Sequence, residues 1–324
     1  MIQYLIMDTD HWTDLELRHL KSFRAIAATG SFHAAADLLD YTQSAVSQHL
    51  AALESIVGVR LVERSRGHRL VEVTEPGRLL LRHADAIVAR LSAAQADLRS
   101  YAEGASGVLR VGTYQSVGAR ILPALVSRFS QTWPGVEVRL REDHEDVLLL
   151  AFVESGEIDL AFTVFPLPSG PFDAVELLRD PYVLMVAIGS PLAGHTGAPV
   201  LREIANQPLI GFRGSRTTEL AEAYLRSNGV EPKVVFRSND NGTVQGLVAA
   251  GVGSALVPLL TVDADDPAVT LLPADVPPRI IGLAWHRDRH RSPANRAFVE
   301  LAREVCAAVR VEIPGGRTEV SGVA

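Results

Sequence analysis

A single cysteine, Cys306, occurs in 324 residues, which excludes an intrachain disulfide and any metal site built from clustered thiolates. Long apolar runs are missing as well, since none approaches the ~18 residues needed to span a bilayer. The start, MIQYLIMDTD, has no basic n-region and too short an apolar stretch for a signal peptide. A cytoplasmic protein without membrane contact is expected. The chain also lacks an excess of positive charge: its formal net charge is −7. Between Leu15 and Pro76, seven Lys/Arg balance seven Asp/Glu. That disfavours a purely electrostatic nucleic-acid binder, but not one whose positive charge is local. Arg60, Arg64, Arg66 and Arg69 face one nearby acid, Glu63.

Enzyme signatures are missing too. There is no G-x-S-x-G elbow, no P-loop and no H-E-x-x-H. Gly251-Val252-Gly253 lacks the third glycine of a dinucleotide fingerprint and follows a helical pattern instead of a strand. His286 and His290 sit in HRDRHR, which reads as a solvated basic turn, and His144-Glu145 has no second His to complete a zinc pair. No catalysis, cofactor or metal is expected.

What is present is an ordinary globular composition, 47% hydrophobic and 21% charged, long enough for two or three compact units. Residues 1–14 show no pattern and read as an N-terminal extension. Residues 15–75 then show three short helical patterns. Leu17, Leu20, Phe23 and Ala27 form an apolar face that ends at Thr29-Gly30. Ser31 caps a second helix with Ala35, Leu38 and Leu39 inward, and Thr42 caps a third. RLVERSRGHRLVEVT reads as two short strands around a turn at Arg66-Gly67-His68. The third helix, YTQSAVSQHLAALE, buries Val46, Leu50 and Leu53 at helical spacing. Its other side (Gln43, Ser44, Ser47, Gln48 and Ala51) is uncharged and short-chained, where a solvent face usually carries Glu, Lys and Arg. Such a surface suits entry into a major groove. Gln pairs with adenine through two contacts, Ser and Thr reach bases or phosphates, and Ala51 permits close approach. A polar helix with chance serines is the alternative, and the adjacent basic hairpin argues against it.

Residues 76–104 read as one helix with Pro76 in its first turn. Leu80, Ala84, Ile87, Leu91, Ala94, Leu98 and Tyr101 recur every four and three residues, a seam suited to a helix–helix dimer contact. The alternative is a helix lying on its own domain. A twofold dimer would present two groove helices about 34 Å apart.

Residues 107–310 change to strands alternating with helices, which implies α/β lobes with parallel sheets. VLRVGTY, VEVRLRE and IDLAFTV form one series. PLIGF and KVVFRS begin another, in which Gly251 lines up with Gly156. Lobe I is placed at about 107–166 and 279–310, lobe II at about 167–278, and a loose tail at 311–324. Ligands of open α/β sheets collect at the carboxyl ends of strands beside helix N-termini. The candidate effector contacts there are Thr113, Gln115, Ser116, Thr163, Phe165, Arg213, Ser215, Arg216, Asn239 and Thr243. Hydroxyls and helix-start amides suit an anion, and Arg213 or Arg216 is suited to clamping a carboxylate. A helix cap for the threonines and a solvated arginine are the plainer roles.

The spacing FRAIAATGSFHAAADLL, TQSAVSQHLAALE, GVRLVER and VTEPG resembles the LysR-type transcriptional regulators, as do GVLRVGTY, ILPALVSRF, GEIDLAF, SPLAG and GVGSALVP further on. Thr42 to Ser47 follow the family's groove-helix pattern in order. Val62 stands where the family usually has Phe, and Pro76 where Ala is usual. The resemblance implies a winged helix-turn-helix head, all-α apart from its hairpin, a dimerising linker helix and a two-lobed effector domain like periplasmic binding proteins. It further implies a homodimer or homotetramer on a promoter inverted repeat, modulated by a small molecule, with RNA polymerase as a further partner. Candidate contacts to double-stranded DNA are Ser31, Thr42, Gln43, Ser44, Ser47 and Gln48, with Arg64, Arg66 and Arg69 in the hairpin. The competing function is a cytoplasmic solute-binding module without a DNA role. Redox sensing is disfavoured, because the family's oxidant sensors need paired cysteines.

Overall fold

The computed structural model describes residues 9–64, 71–103, 107–195 and 201–309. The turn Arg66-Gly67-His68, the residue Arg69 and the tail 311–324 lie outside the described residues. The chain divides into two compact units, Met1–Gln95 and Ala96–Ala324.

The first unit opens with a short 3-10 helix, Thr9–Asp14, where the sequence shows no pattern; it packs on α3. Helices α1 (Leu17–Thr29), α2 (Phe32–Leu39) and α3 (Gln43–Val57) follow. Gly30 and Asp40 end the first two in the left-handed conformation, which turns the chain sharply at each corner. Ser31 and Thr42 cap α2 and α3 by accepting from the backbone N–H of Ala34 and Ala45. Leu20, Phe23, Ile26, Ala35, Val46, Leu50 and Leu53 form the core; each large apolar side chain among them contributes roughly 1.5–3 kcal/mol. Leu38 was expected inside but is 66% exposed. Ala35 and Ala36 take the inward positions of this eight-residue helix. Strands β1 (Val62–Arg64) and β2 (Val71–Val73) pair antiparallel, with Val62 opposite Val73.

Helix α4 (Glu75–Glu103) then begins. A Cβ on Gly77 would sit 2.2 Å from the Leu61 carbonyl oxygen, so only glycine lets the helix start this close to the wing. Leu80 and Ala84, expected on an intermolecular seam, are instead buried in the head's own core, because the first turns of α4 cover it. Beyond them Ile87, Leu91, Ala94 and Leu98 are exposed. The side chain of Tyr101 lies outside the described residues.

After the end of α4, the second unit runs through β3 (Gly107–Thr113), α5 (Gln115–Arg120), α6 (Leu122–Thr132), β4 (Val136–Glu142), α7 (Asp146–Ser155), β5 (Leu160–Phe165) and β6 (Phe172–Asp180). The chain then crosses into β7 (Tyr182–Ala187), α8 (Leu201–Ala205), β8 (Pro208–Phe212), α9 (Arg216–Ser227), β9 (Lys233–Ser238), α10 (Asn241–Ala249), β10 (Ala255–Pro258) and β11 (Val269–Pro273). It returns through β12 (Arg279–His286) to α11 (Pro293–Ala308). The first sheet has the order β4-β3-β5-β12-β6, with β3 parallel to β4 and β5, and β12 antiparallel to β5 and β6. Residues 172–180 were expected in lobe II, but β6 pairs along its length with β12 in lobe I. The alternation βαβ gives no warning of an added antiparallel edge. The second lobe has β10-β7-β11 and a parallel pair β8-β9, joined by a bridge from Leu209 to Ser254. Gly156 and Gly251 both have positive φ after their helices, in line with the repeated pattern.

Among the described residues no helix is long and apolar enough to cross a membrane, and no cluster of His, Cys, Asp and Glu could hold a metal ion.

Candidate nucleic-acid and effector sites

With Val46, Leu50 and Leu53 facing inward, helical geometry turns Gln43, Ser44 and Gln48 outward, and all three are exposed. Ser47 is half-buried. The Thr42 hydroxyl lies 3.0 Å from that of Ser44 and accepts the Ala45 N–H at 3.2 Å, so it orders the first turn of α3. At the other end, Glu54 accepts from the backbone N–H of Leu61 at 2.7 Å and Val62 at 3.3 Å. This carboxylate fixes the wing to α3, and nothing in the sequence pattern marks it. Arg64 has its backbone in β1; its side chain, Arg66 and Arg69 lie outside the described residues.

A histidine contact, also absent from the sequence reading, holds α3 to α1. The His49 ring nitrogen Nδ1 is 2.8 Å from the Ser22 hydroxyl. Tyr41 meets the His49 ring edge-on at 5.3 Å, and His19 lies 5.9 Å away. Burial, then the neighbouring His19 and Arg18, lower the pKa of His49, so the contact is built around a neutral imidazole.

In the second unit, a small, open cleft with a cavity volume of about 50 Å³ lies where the strand ends of the two lobes face each other. Five of the expected residues line it: Gln115 and Ser116 from lobe I, and Arg213, Ser215 and Asn239 from lobe II. The helix starts of α5, α9 and α10 converge there through Tyr114, Thr217 and Asn241. Ser215, before α9, makes no side-chain cap, so no hydroxyl of its own competes for the first-turn amides of this twelve-residue helix.

The other five expected residues do not line the cleft. Thr113 is buried, and its hydroxyl donates to the Tyr114 carbonyl at 3.3 Å. Phe165 packs over Gly282, where a Cβ would meet its ring at 2.3 Å. Thr243 donates to Asp240 at 2.8 Å. Thr163 is fully buried and donates to Asp146 at 2.9 Å. The same Asp146 oxygen receives the Val164 N–H at 3.0 Å and the Arg216 guanidinium at 2.6 Å. Arg216 also donates to the Pro166 carbonyl. It therefore clamps a protein carboxylate across the two lobes. Gln115 bridges them too: its Nε2 donates to Asp240 at 2.9 Å and its Oε1 accepts the Asn241 N–H at 2.9 Å.

Three further polar groups are central. Asp180 and Arg279 are register partners at the ends of the two strands through which the chain passes between lobes. Arg279 donates through Nε at 3.1 Å and through a terminal nitrogen at 2.5 Å to one Asp180 oxygen. It also reaches the Ser116 hydroxyl at 3.1 Å, at the cleft floor. Burial disfavours the charge on Arg279, but Asp180, Tyr114 and Tyr182 together outweigh it and raise its pKa. Burial pushes the Asp180 carboxyl up, against Arg279 and the Leu260 N–H. Tyr182, the first residue of β7, donates to the Thr217 carbonyl at 2.6 Å. In sequence, Arg279 follows two prolines and Asp180 precedes one, so both read as turn residues and carry no local signal of pairing.

A wing beside an outward polar helix, together with a two-lobed α/β cleft, defines a DNA-binding regulator that carries an effector domain. Residues 17–78 match the family model described as "Bacterial regulatory helix-turn-helix protein, lysR family", and residues 102–307 match "LysR substrate binding domain". The chain is similar to CfxR of Cupriavidus necator, at 31% identity over 87% of this chain and 89% of that protein. It is 30% identical to a probable hydrogen peroxide-inducible genes activator of Mycobacterium leprae, over 88% and 93%. Among solved structures, a Corynebacterium glutamicum OxyR C206 mutant matches with TM-score 0.57 and 27% identity, over 90% and 91% of the two chains. Full-length CbnR in complex with its target DNA shares the fold at TM-score 0.62 and 24% identity, over 90% and 100%. The chain belongs to the LysR family of DNA-binding transcriptional regulators with an effector-binding domain, and it is not an enzyme.

Proposed function

We propose that this regulator reads a promoter inverted repeat as a homodimer or homotetramer in the cytoplasm, and that a small anionic metabolite in the interlobe cleft modulates it. One observation carries the DNA reading: α3 directs Gln43, Ser44 and Gln48 outward beside a wing, with no charged group among them. CbnR, which shares the fold, is solved in complex with its target DNA, in line with DNA binding by this chain. Direct base contacts come from these side chains and from Thr42 and Ser47. Ser31, Arg64, Arg66 and Arg69 supply the phosphate contacts. Ile87, Leu91, Ala94 and Leu98 supply the intermolecular seam, continued by Tyr101. RNA polymerase is the partner through which promoter occupancy becomes regulation.

The anionic effector is supported by the lining of the cleft. It contains Arg213, which has no ion pair among the described residues, and it receives the uncapped start of α9. Peroxide sensing, which the names of the mycobacterial relative and of OxyR raise, has no support here. Cys306 is the only cysteine, is buried, and has its thiol pushed up to about 12 by burial. A footprint of the full chain on the intergenic DNA upstream of its own gene tests the proposal. The expected result is two protected half-sites in inverted orientation; uniform or absent protection would refute it.

A further inference from the structure

Three arginines stand at or beside the cleft, and their charges are not equally available. Arg279 is spent on Asp180, with both side chains buried. Arg216 is spent on Asp146, which is itself 6% exposed. Arg213 is exposed and, among the described residues, has no ion pair. His144 lines the cleft with the carboxylates of Asp143 and Glu145 3.4 and 3.5 Å away, so this side of the cleft offers no surplus of cations. The rest of the polar wall is neutral: Gln115, Ser116, Thr217, Asn239 and Asn241. From this balance we infer that the effector is a monoanion, its one carboxylate held by Arg213 and the start of α9 and its remainder uncharged. The inference rests on the anionic reading above and narrows it.

The physical reason is the environment of the inner cleft. A second carboxylate placed there would leave water, meet the acids that flank His144, and find only cations already neutralised at 2.6 and 2.5 Å. Desolvation and like-charge repulsion both oppose it. A hydroxyl, keto or aromatic end meets neither penalty, since the amides and hydroxyls of the wall serve it in either donor or acceptor sense. Asp146 thereby acts as a specificity-determining residue without touching the ligand: it consumes the cation that a dianion would require.

Matched probes test this on the full chain by thermal shift and calorimetry: butyrate, benzoate and pyruvate against glutarate, phthalate and oxaloacetate. At least one monocarboxylate is expected to bind, about tenfold or more tighter than its dicarboxylate partner. Arg213→Gln should weaken that monocarboxylate about tenfold. Asp146→Asn, which releases Arg216, should narrow or reverse the preference in favour of the dicarboxylate. Should that variant unfold, the wild-type ratio and Arg213→Gln still decide the matter. Tighter binding of dicarboxylates to the wild type would overturn the inference and leave the anionic reading standing. Absence of binding by every probe would overturn both.

Discussion

The outer face of α3 and the walls of the effector cleft are built from the same kinds of side chain, yet they are in opposite states. On α3, the side chains of Gln43 and Gln48 are exposed and, among the described residues, make no hydrogen bond. In the cleft, Gln115 is engaged at both ends of its amide, once with Asp240 and once with Asn241. Arg216 and Arg279 are likewise committed to Asp146 and Asp180. The first surface is finished and waits for a partner of fixed shape. The second is already satisfied by the protein, so a ligand there must exchange with contacts that hold two lobes together. A change at the exposed Gln43 or Gln48 therefore affects binding alone, whereas a change in the cleft affects binding and stability at once.

The largest test of that contrast is Asp180→Ala. It leaves Arg279 charged and buried, and should lower stability by about 3–5 kcal/mol, read by chemical denaturation of the effector unit's transition. Equal stability to wild type would mean that the pair does not hold the crossover strands. Next, Ile87→Glu with Leu91→Glu should shift the assembly to smaller species in sedimentation, because both side chains lie about half exposed on the free face of α4. An unchanged sedimentation coefficient would place the seam elsewhere. Gln115→Ala should cost about 1 kcal/mol or less, since only neutral hydrogen bonds are lost at a wet cleft, while raising protease susceptibility between the lobes. Resistance equal to wild type would show that this bridge is incidental.

The smallest effect is a pH dependence in the head. His49 has a folded pKa below its ordinary 6.5, so its contribution to stability is complete above that value. It is lost as pH falls from about 6.5 through the folded pKa, because the unfolded chain then binds the extra proton. The head's unfolding midpoint should drop more between pH 7.5 and 5 in wild type than in His49→Gln. Parallel curves would remove His49 from the α1–α3 contact.

The same contrast explains how much was legible in the sequence. Helix α3 could be read almost completely: Val46, Leu50 and Leu53 repeat at helical spacing, Thr42 is a capping residue in the capping place, and the polar remainder follows by geometry. The strands Val136–Glu142, Pro208–Phe212 and Lys233–Ser238 were legible for the same reason, their local patterns and boundaries being intact. In the cleft, spacing located the right loops but not the right partners. Whether Thr163 and Arg216 face a ligand or Asp146 depends on residues 17 and 70 positions away. The placement of β6 beside β12 and the pairing of Asp180 with Arg279 are likewise long-range facts. Leu80 and Ala84 fit a heptad and a domain core equally well, because both demand the same small apolar stripe.

The central claim, that the uncharged outer face of α3 reads base edges, is met most directly by a gel shift at about 0.15 M salt with the gene's own upstream DNA. Wild type should bind, and Gln43→Ala with Ser44→Ala should not, while its thermal unfolding stays as in wild type. A doubly substituted protein that is folded and still binds that DNA as tightly would contradict it.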